Sequence, residues 1–156
     1  MRADKIRTEI PRLIPISNRM KSNAKGFKDD ASKKYGHLTK PATKTEQGQI
    51  EVGFAYGLEV LYCFQAIKHR DYEFAWSAIW PVVSHGHVMH AQENTVSEVV
   101  DLPMTPDNVI LFHALNYKHW TTKGKGILII SNMEFGDTCP TDEEVLAQFD
   151  KKLTDL

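Results

Sequence analysis

Ile50-Glu51-Val52-Gly53-Phe54-Ala55-Tyr56-Gly57-Leu58-Glu59-Val60-Leu61-Tyr62-Cys63-Phe64 carries an apolar side chain at every even position, while its odd positions begin Glu, Gly, Ala, Gly, Glu. Strict alternation over this length is the period of a pleated strand with one buried face and one lean or polar face. A helix is the competing reading of residues 50–67, because Glu51, Glu59 and Gln65, with His69 beyond them, share one side of a helical wheel. Gly53 and Gly57 would each cost such a helix about 1 kcal/mol, so the strand is preferred.

The pattern continues outward. Lys68-His69-Arg70-Asp71 reads as a turn, and Tyr72, Phe74, Trp76, Ala78, Trp80 and Val82 then alternate again. Two alternating runs about a short polar link predict a hairpin. Pro81 has no amide to donate and needs an edge or a bulge. Further strands are predicted at 96–102, 109–117 and 126–133, separated by turn chemistry around Pro106-Asp107-Asn108 and Lys123-Gly124-Lys125-Gly126. Thr141 followed by Asp142-Glu143-Glu144 starts an N-capped helix over 141–153, with Val145, Leu146, Phe149 and Leu153 as its apolar stripe. The resulting fold class is mainly β (α+β). About five antiparallel strands form a small OB-like barrel or a curved sheet, with a basic N-terminal arm in front and a helix behind.

The arm is set apart by charge. The first 44 residues hold 12 Lys+Arg against 4 Asp+Glu, about +8. The remaining 112 hold 7 against 16, about −9, so the net −1 conceals the asymmetry. Residues 1–48 therefore read as a largely extended and solvated arm, with at most a short helix near 27–35, and 49–156 as one domain. Such an arm points to nucleic acid, to an acidic partner, or to folding back on its own body. No apolar run reaches the ~20 residues of a membrane span, and no secretory signal is apparent. Cys63 and Cys139 match no metal spacing, and a cytoplasmic protein with reduced thiols is expected.

Four constellations could carry chemistry. In the first, Arg19, Lys21, Lys25, Lys28, Lys33 and Lys34 of the arm would neutralise phosphates, while Tyr117, Lys118, Trp120, Lys123 and Lys125 supply stacking and charge at one strand end. Aromatic faces inside a basic groove are how single strands are held, each stacked base contributing about 1–3 kcal/mol. The bland reading makes these aromatics core. The order Val100-Asp101-Leu102-Pro103, the strand 109–115, Tyr117-Lys118-x-Trp120 and Lys125-Gly126-Ile127-Leu128-Ile129-Ile130 resembles the distal strands of phage-type single-stranded DNA-binding OB-fold proteins over residues 100–133. The resemblance implies a barrel that binds single strands.

The second constellation is His85-Gly86-His87-Val88-Met89-His90, in which His85, His87 and His90 could ligate Zn2+; a histidine-rich turn without special role competes. The third is Cys63, His90 and Asp101, a nucleophile–base–carboxylate order similar to that of papain- or transglutaminase-like hydrolases, although Cys63 inside an apolar run reads better as an inert buried thiol. The fourth is the pair of H-x-T triplets, His37 with Thr39 and His119 with Thr121, which resembles the catalytic elements of 2H phosphoesterases. Binding without catalysis is the preferred reading. The expected partner is single-stranded nucleic acid or, alternatively, a protein met by the acidic body, with the arm able to join copies into a homo-oligomer. No cofactor is expected beyond Zn2+ at the histidine run.

Overall fold

The computed structural model describes residues 10–35, 50–55, 58–62, 64–72, 76–124, 126–133 and 139–155. The chain is mainly β with a C-terminal helix, as its alternation implies. Nine strands are seen: β1 (Arg12–Pro15), β2 (Ile50–Ala55), β3 (Leu58–Tyr62), β4 (Trp76–Ser84), β5 (Val88–Glu93), β6 (Val99–Pro103), β7 (Asn108–Phe112), β8 (Tyr117–Thr121) and β9 (Gly126–Met133). Helix α1 spans Asn18–Tyr35 and α2 spans Asp142–Asp155. The strands form two antiparallel sheets, β1-β7-β4-β9-β3-β2 and β6-β5-β8. This is a sandwich of two sheets with open edges, so of the two expected arrangements, a small OB-like barrel or a curved sheet, the barrel does not close.

The long run at 50–64 is two strands. β2 and β3 pair with Ala55 opposite Leu58 and Ile50 opposite Tyr62. Beside the reversal even positions of one strand oppose odd positions of the other, as Phe54 opposes Glu59, and the register shift between Glu51 and Gly53 then brings Ile50 opposite Tyr62. The apolar alternation runs on through both strands, so the break does not show in sequence. The hairpin expected about Lys68–Asp71 does not form, because β9 lies between β3 and β4. Ile127 to Ile129 are buried on both faces of β9, which requires a central position. Pro81 sits in β4 beside a register shift between Pro81 and Val83, as a residue without an amide must. The predicted strand 109–117 is also two: β7 ends at Phe112, the chain turns, and β8 begins at Tyr117 in the other sheet.

Alternation along the central strands creates two cores. Trp76, Ala78 and Trp80 of β4, Val109 and Leu111 of β7, and Ile127 and Ile129 of β9 face the helices. The intervening Ile79, Ile110, Phe112 and Leu128 face Met89, Ala91, Leu102 and Tyr117 of the smaller sheet. The six-stranded sheet is thus the middle of three layers, helices on one side and β6-β5-β8 on the other.

The segment expected as a solvated arm contributes to the first core. Met20 and Ala24, one turn apart on α1, are buried there with Ile14 and Ile16. Ser17 caps α1 by accepting from the Met20 amide at 3.3 Å. Three of its cations turn to the body. Arg12 pairs with Asp142 at 2.9 Å, Lys21 with Asp107 at 2.7 Å, and Arg19 with Asp150. Folding back is therefore the visible outcome for these three of the arm's charges. On α2, the Thr141 hydroxyl accepts from the Glu144 amide while the Glu144 carboxylate accepts from the Thr141 amide, a reciprocal capping box. No helix among the described residues is long and apolar enough to cross a membrane.

Candidate functional site

The two helices cover one outer surface of the sandwich, and the opposite surface is the outward face of β6-β5-β8. Register places its side chains in rows: His90 lies opposite Asp101 on β6 and Trp120 on β8, and Gln92 lies opposite Val99 and Lys118. His90 Nδ1 is 2.6 Å from an Asp101 oxygen, and the His90 ring rests 5.4 Å from that of Trp120. The Lys68 ammonium stands 4.7 Å over the half-buried indole of Trp120. Beside this row an open groove of about 440 Å3 is lined by Lys68, His69, Arg70, Tyr72, Asn94 and Lys118. Tyr72 is 73% exposed, and the Arg70 guanidinium lies 4.8 Å over its ring. Lys68, Arg70 and Lys118 make no ion pair among the described residues.

The groove is built by residues 64–72, which run antiparallel along the free edge of β8. His69 and His119 exchange both backbone hydrogen bonds, at 3.1 and 2.8 Å. The Thr121 amide donates to Ala66 O, the Ala66 amide donates to the Thr121 hydroxyl, and the Asp71 amide donates to Ala114 O. This strip brings together three side chains that are far apart in sequence. His119 Nε2 is 3.4 Å from one Asp71 carboxylate oxygen and His69 Nε2 is 3.6 Å from the other. The two imidazole centroids are 4.3 Å apart. His119 is buried against Phe112, its ring 4.7 Å away, whereas His69 and Asp71 are half-exposed at the groove. Burial pushes the Asp71 carboxyl up, but the hydrogen bond from His119 and the positive charges of His119 and His69 outweigh it, holding Asp71 below its ordinary value.

The residues named from sequence distribute as follows. Tyr117 is buried between the sheets, so it has no free face for a base. Lys118 and Trp120 belong to the outward side, Lys123 is exposed in the loop after β8, and Arg19 and Lys21 lie on the helix side, two sheet layers away. Lys25 is exposed on α1; nothing is described of the side chains of Lys28, Lys33 and Lys34, and Lys125 lies outside the described residues. The arm cations seen and Trp120 thus do not share one groove. His85, His87 and His90 do not converge. His85 is exposed, His90 faces outward, and His87 is buried with Nδ1 3.1 Å from the Ser84 hydroxyl and its ring 4.7 Å from that of Phe64. A Cβ at Gly124 would fall on the His87 imidazole, so glycine makes room for it.

The His90–Asp101 pair does form, but Cys63 lies outside the described residues, as do His37 and Thr39. The Thr121 hydroxyl is committed to the Ala66 amide. Asp71 and His69 read in sequence only as turn residues. Their i, i+2 spacing puts both on one side of an extended chain, but nothing local says that His119 would join them.

No family model matches the chain, and no curated protein matches it. Among solved structures it is similar to the Drosophila melanogaster CENP-C cupin domain, with TM-score 0.44 and 7% identity over 68% of this chain and 98% of that one. It is likewise similar to Drosophila melanogaster CENP-C bound to CAL1, with TM-score 0.43 and 8% identity over 69% and 99% of the two chains. Likeness at this level says nothing about what the chain binds.

Proposed function

We propose that the chain is a protein-interaction domain, and that the groove beside Trp120 receives a short acidic segment of a partner protein. One observation carries this reading. Arg12, Arg19 and Lys21 meet carboxylates of the same chain, while Lys68, Arg70 and Lys118, which meet no carboxylate among the described residues, gather around two accessible aromatic rings, Lys68 also donating to Gln92 Oε1 at 2.5 Å. Clustered Trp, Tyr and Arg are the residue types that dominate interface energetics. Carboxylates would meet the three cations, and an aliphatic or aromatic side chain would lie on Trp120. The acidic body meeting a basic partner, as the composition suggests, is less well supported, because Asp107, Asp142 and Asp150 already face the chain's own cations. An extended nucleic-acid track is less well supported too, since Arg19 and Lys21 lie on the far side of the sandwich.

The test uses the full chain and three labelled probes: a Glu-rich peptide containing Phe, its Gln-for-Glu counterpart, and an oligo-dT strand. Trp76 and Trp80 are buried, so quenching by an added solute reports Trp120. The acidic peptide is expected to bind, to quench Trp120, and to weaken at least ~10-fold when Lys68→Glu and Lys118→Glu are combined. Binding of oligo-dT alone, with a log–log salt slope near −2 for three phosphates, would overturn this reading in favour of nucleic acid.

A further inference from the structure

We infer that His69, Asp71 and His119 form a binding site for a first-row divalent transition-metal ion such as Zn2+ or Fe2+. Each of the three residues offers one ligand atom within 4.8 Å of the other two, and both imidazoles turn Nε2 to the Asp71 carboxylate. An ion about 2.0–2.2 Å from each of three donors requires them roughly 3–4 Å apart, and the two Nε2–oxygen distances of 3.4 and 3.6 Å fall in that range.

The strongest argument comes from the other nitrogen of each ring. His69 Nδ1 lies 2.6 Å from Ile67 O, and His119 Nδ1 lies 3.1 Å from Tyr117 O. A carbonyl only accepts, so each Nδ1 must carry the proton. In the neutral imidazoles both Nε2 lone pairs are then aimed at a carboxylate, which is itself an acceptor. Lone pair facing lone pair is unfavourable unless a cation stands between them. Either extra protons or a metal ion can fill that role. Donation of Nδ1–H to a backbone carbonyl is also how metal-binding histidines are oriented and made more basic.

The site is rigid where a metal needs it to be. The backbones of His69 and His119 are tied to each other, and that of Asp71 is tied to Ala114. His119 is walled in by Phe112, so the approach is from the groove, past His69 and Asp71. Two imidazoles and one carboxylate leave coordination positions open and suit Fe2+ or Zn2+; the nitrogen donors disfavour Ca2+ and Mg2+. The remaining positions would face the groove lined by Lys68, Arg70 and Lys118. This inference is independent of the peptide-binding reading, since each is tested by a different probe.

The experiment is titration of the chelator-treated full chain with Co2+ and Zn2+ at about pH 7.5, where metal outcompetes protons for imidazole. Visible Co2+ absorption and calorimetry would read the binding. One equivalent is expected, with Zn2+ displacing Co2+. His69→Ala or Asp71→Asn should weaken it at least ~10-fold, while His85→Ala and His90→Ala leave it within about twofold. His119→Ala removes a buried ring and can fail by unfolding, so the two groove-side variants, checked by circular dichroism, decide the matter. Absence of saturable binding would overturn the inference and leave protons as the cation in the cluster. Binding that survives both His69→Ala and Asp71→Asn would overturn it equally, by locating the metal elsewhere.

Discussion

β8 separates two histidine–carboxylate clusters by a single residue. Trp120 faces outward beside His90 and Asp101, whereas His119 faces inward and meets Asp71 and His69. The outer cluster is a cross-strand pair of directly opposed residues: Asp101 is 68% exposed and its oxygen is bound to Nδ1. In the inner cluster Nδ1 is taken by backbone carbonyls, and Nε2 is what remains for the carboxylate. The difference teaches that proximity of His to Asp is not what makes a candidate metal centre. Which nitrogen the backbone occupies, and how much water the site admits, decide whether the pair is a surface contact or a donor set.

The comparison breaks most visibly under truncation. His119→Ala should cost about 2–4 kcal/mol in urea unfolding, because it opens a cavity against Phe112 and leaves Asp71 half-buried without its nearest partner. His90→Ala should cost less than about 1 kcal/mol, as exposed ion pairs do. Equal losses would mean that the inner cluster is no more integral to the fold than the outer one.

Acid stability of the metal-free protein probes the same contrast more gently. Asp71 is held below its ordinary value, so the native state favours its ionised form. That contribution is present above the unfolded carboxyl pKa of about 3.9 and is lost as pH falls through the lower folded value. Asp71→Asn should therefore lower stability at neutral pH and make the acid limb shallower. An unchanged acid limb would show that His69 and His119 do not stabilise the carboxylate.

His87 supplies the smallest effect and a third case, a buried histidine with no carboxylate partner among the described residues. Burial, followed by the charge of His85, holds its imidazole below the ordinary value. The native state thus favours neutral His87. The associated stability is present above about pH 6.5 and is lost as pH falls through the folded value. His87→Gln should flatten thermal stability between about pH 7 and pH 5. Persistence of the slope would assign it to another group.

Much of the architecture was legible because alternation survives translation into structure. The β character, the need of Pro81 for an edge or a bulge, the strand at 126–133 and the N-cap at Thr141 all follow from local chemistry. The strand count was not, because the apolar alternation runs unbroken through both β2 and β3, and Phe112 to Tyr117 keeps an apolar appearance while crossing between sheets. The arm was misjudged for a related reason: two small contacts, Met20 and Ala24, suffice to dock α1 once Ile14 and Ile16 precede them. Of the site, Lys118, Trp120, the His90–Asp101 pair and His119 could be named from sequence, though His119 in a different role. His69, Asp71, Lys68 and Arg70 could not, since turn-like composition describes them equally well.

The sequence by itself determined that this chain is a β-rich domain with a capped C-terminal helix and a cationic N-terminal segment, because periodicity and charge are properties of neighbours along the chain. Tertiary structure alone decided that Arg12, Arg19 and Lys21 meet carboxylates of the same chain while Lys68, Arg70 and Lys118 meet none among the described residues. It also decided that a turn at 68–72 would lie against β8 and complete a three-residue donor set with His119. Those outcomes depend on which edges meet, and strand order is set by burial on both faces of β4, β7 and β9, a constraint that no local window contains.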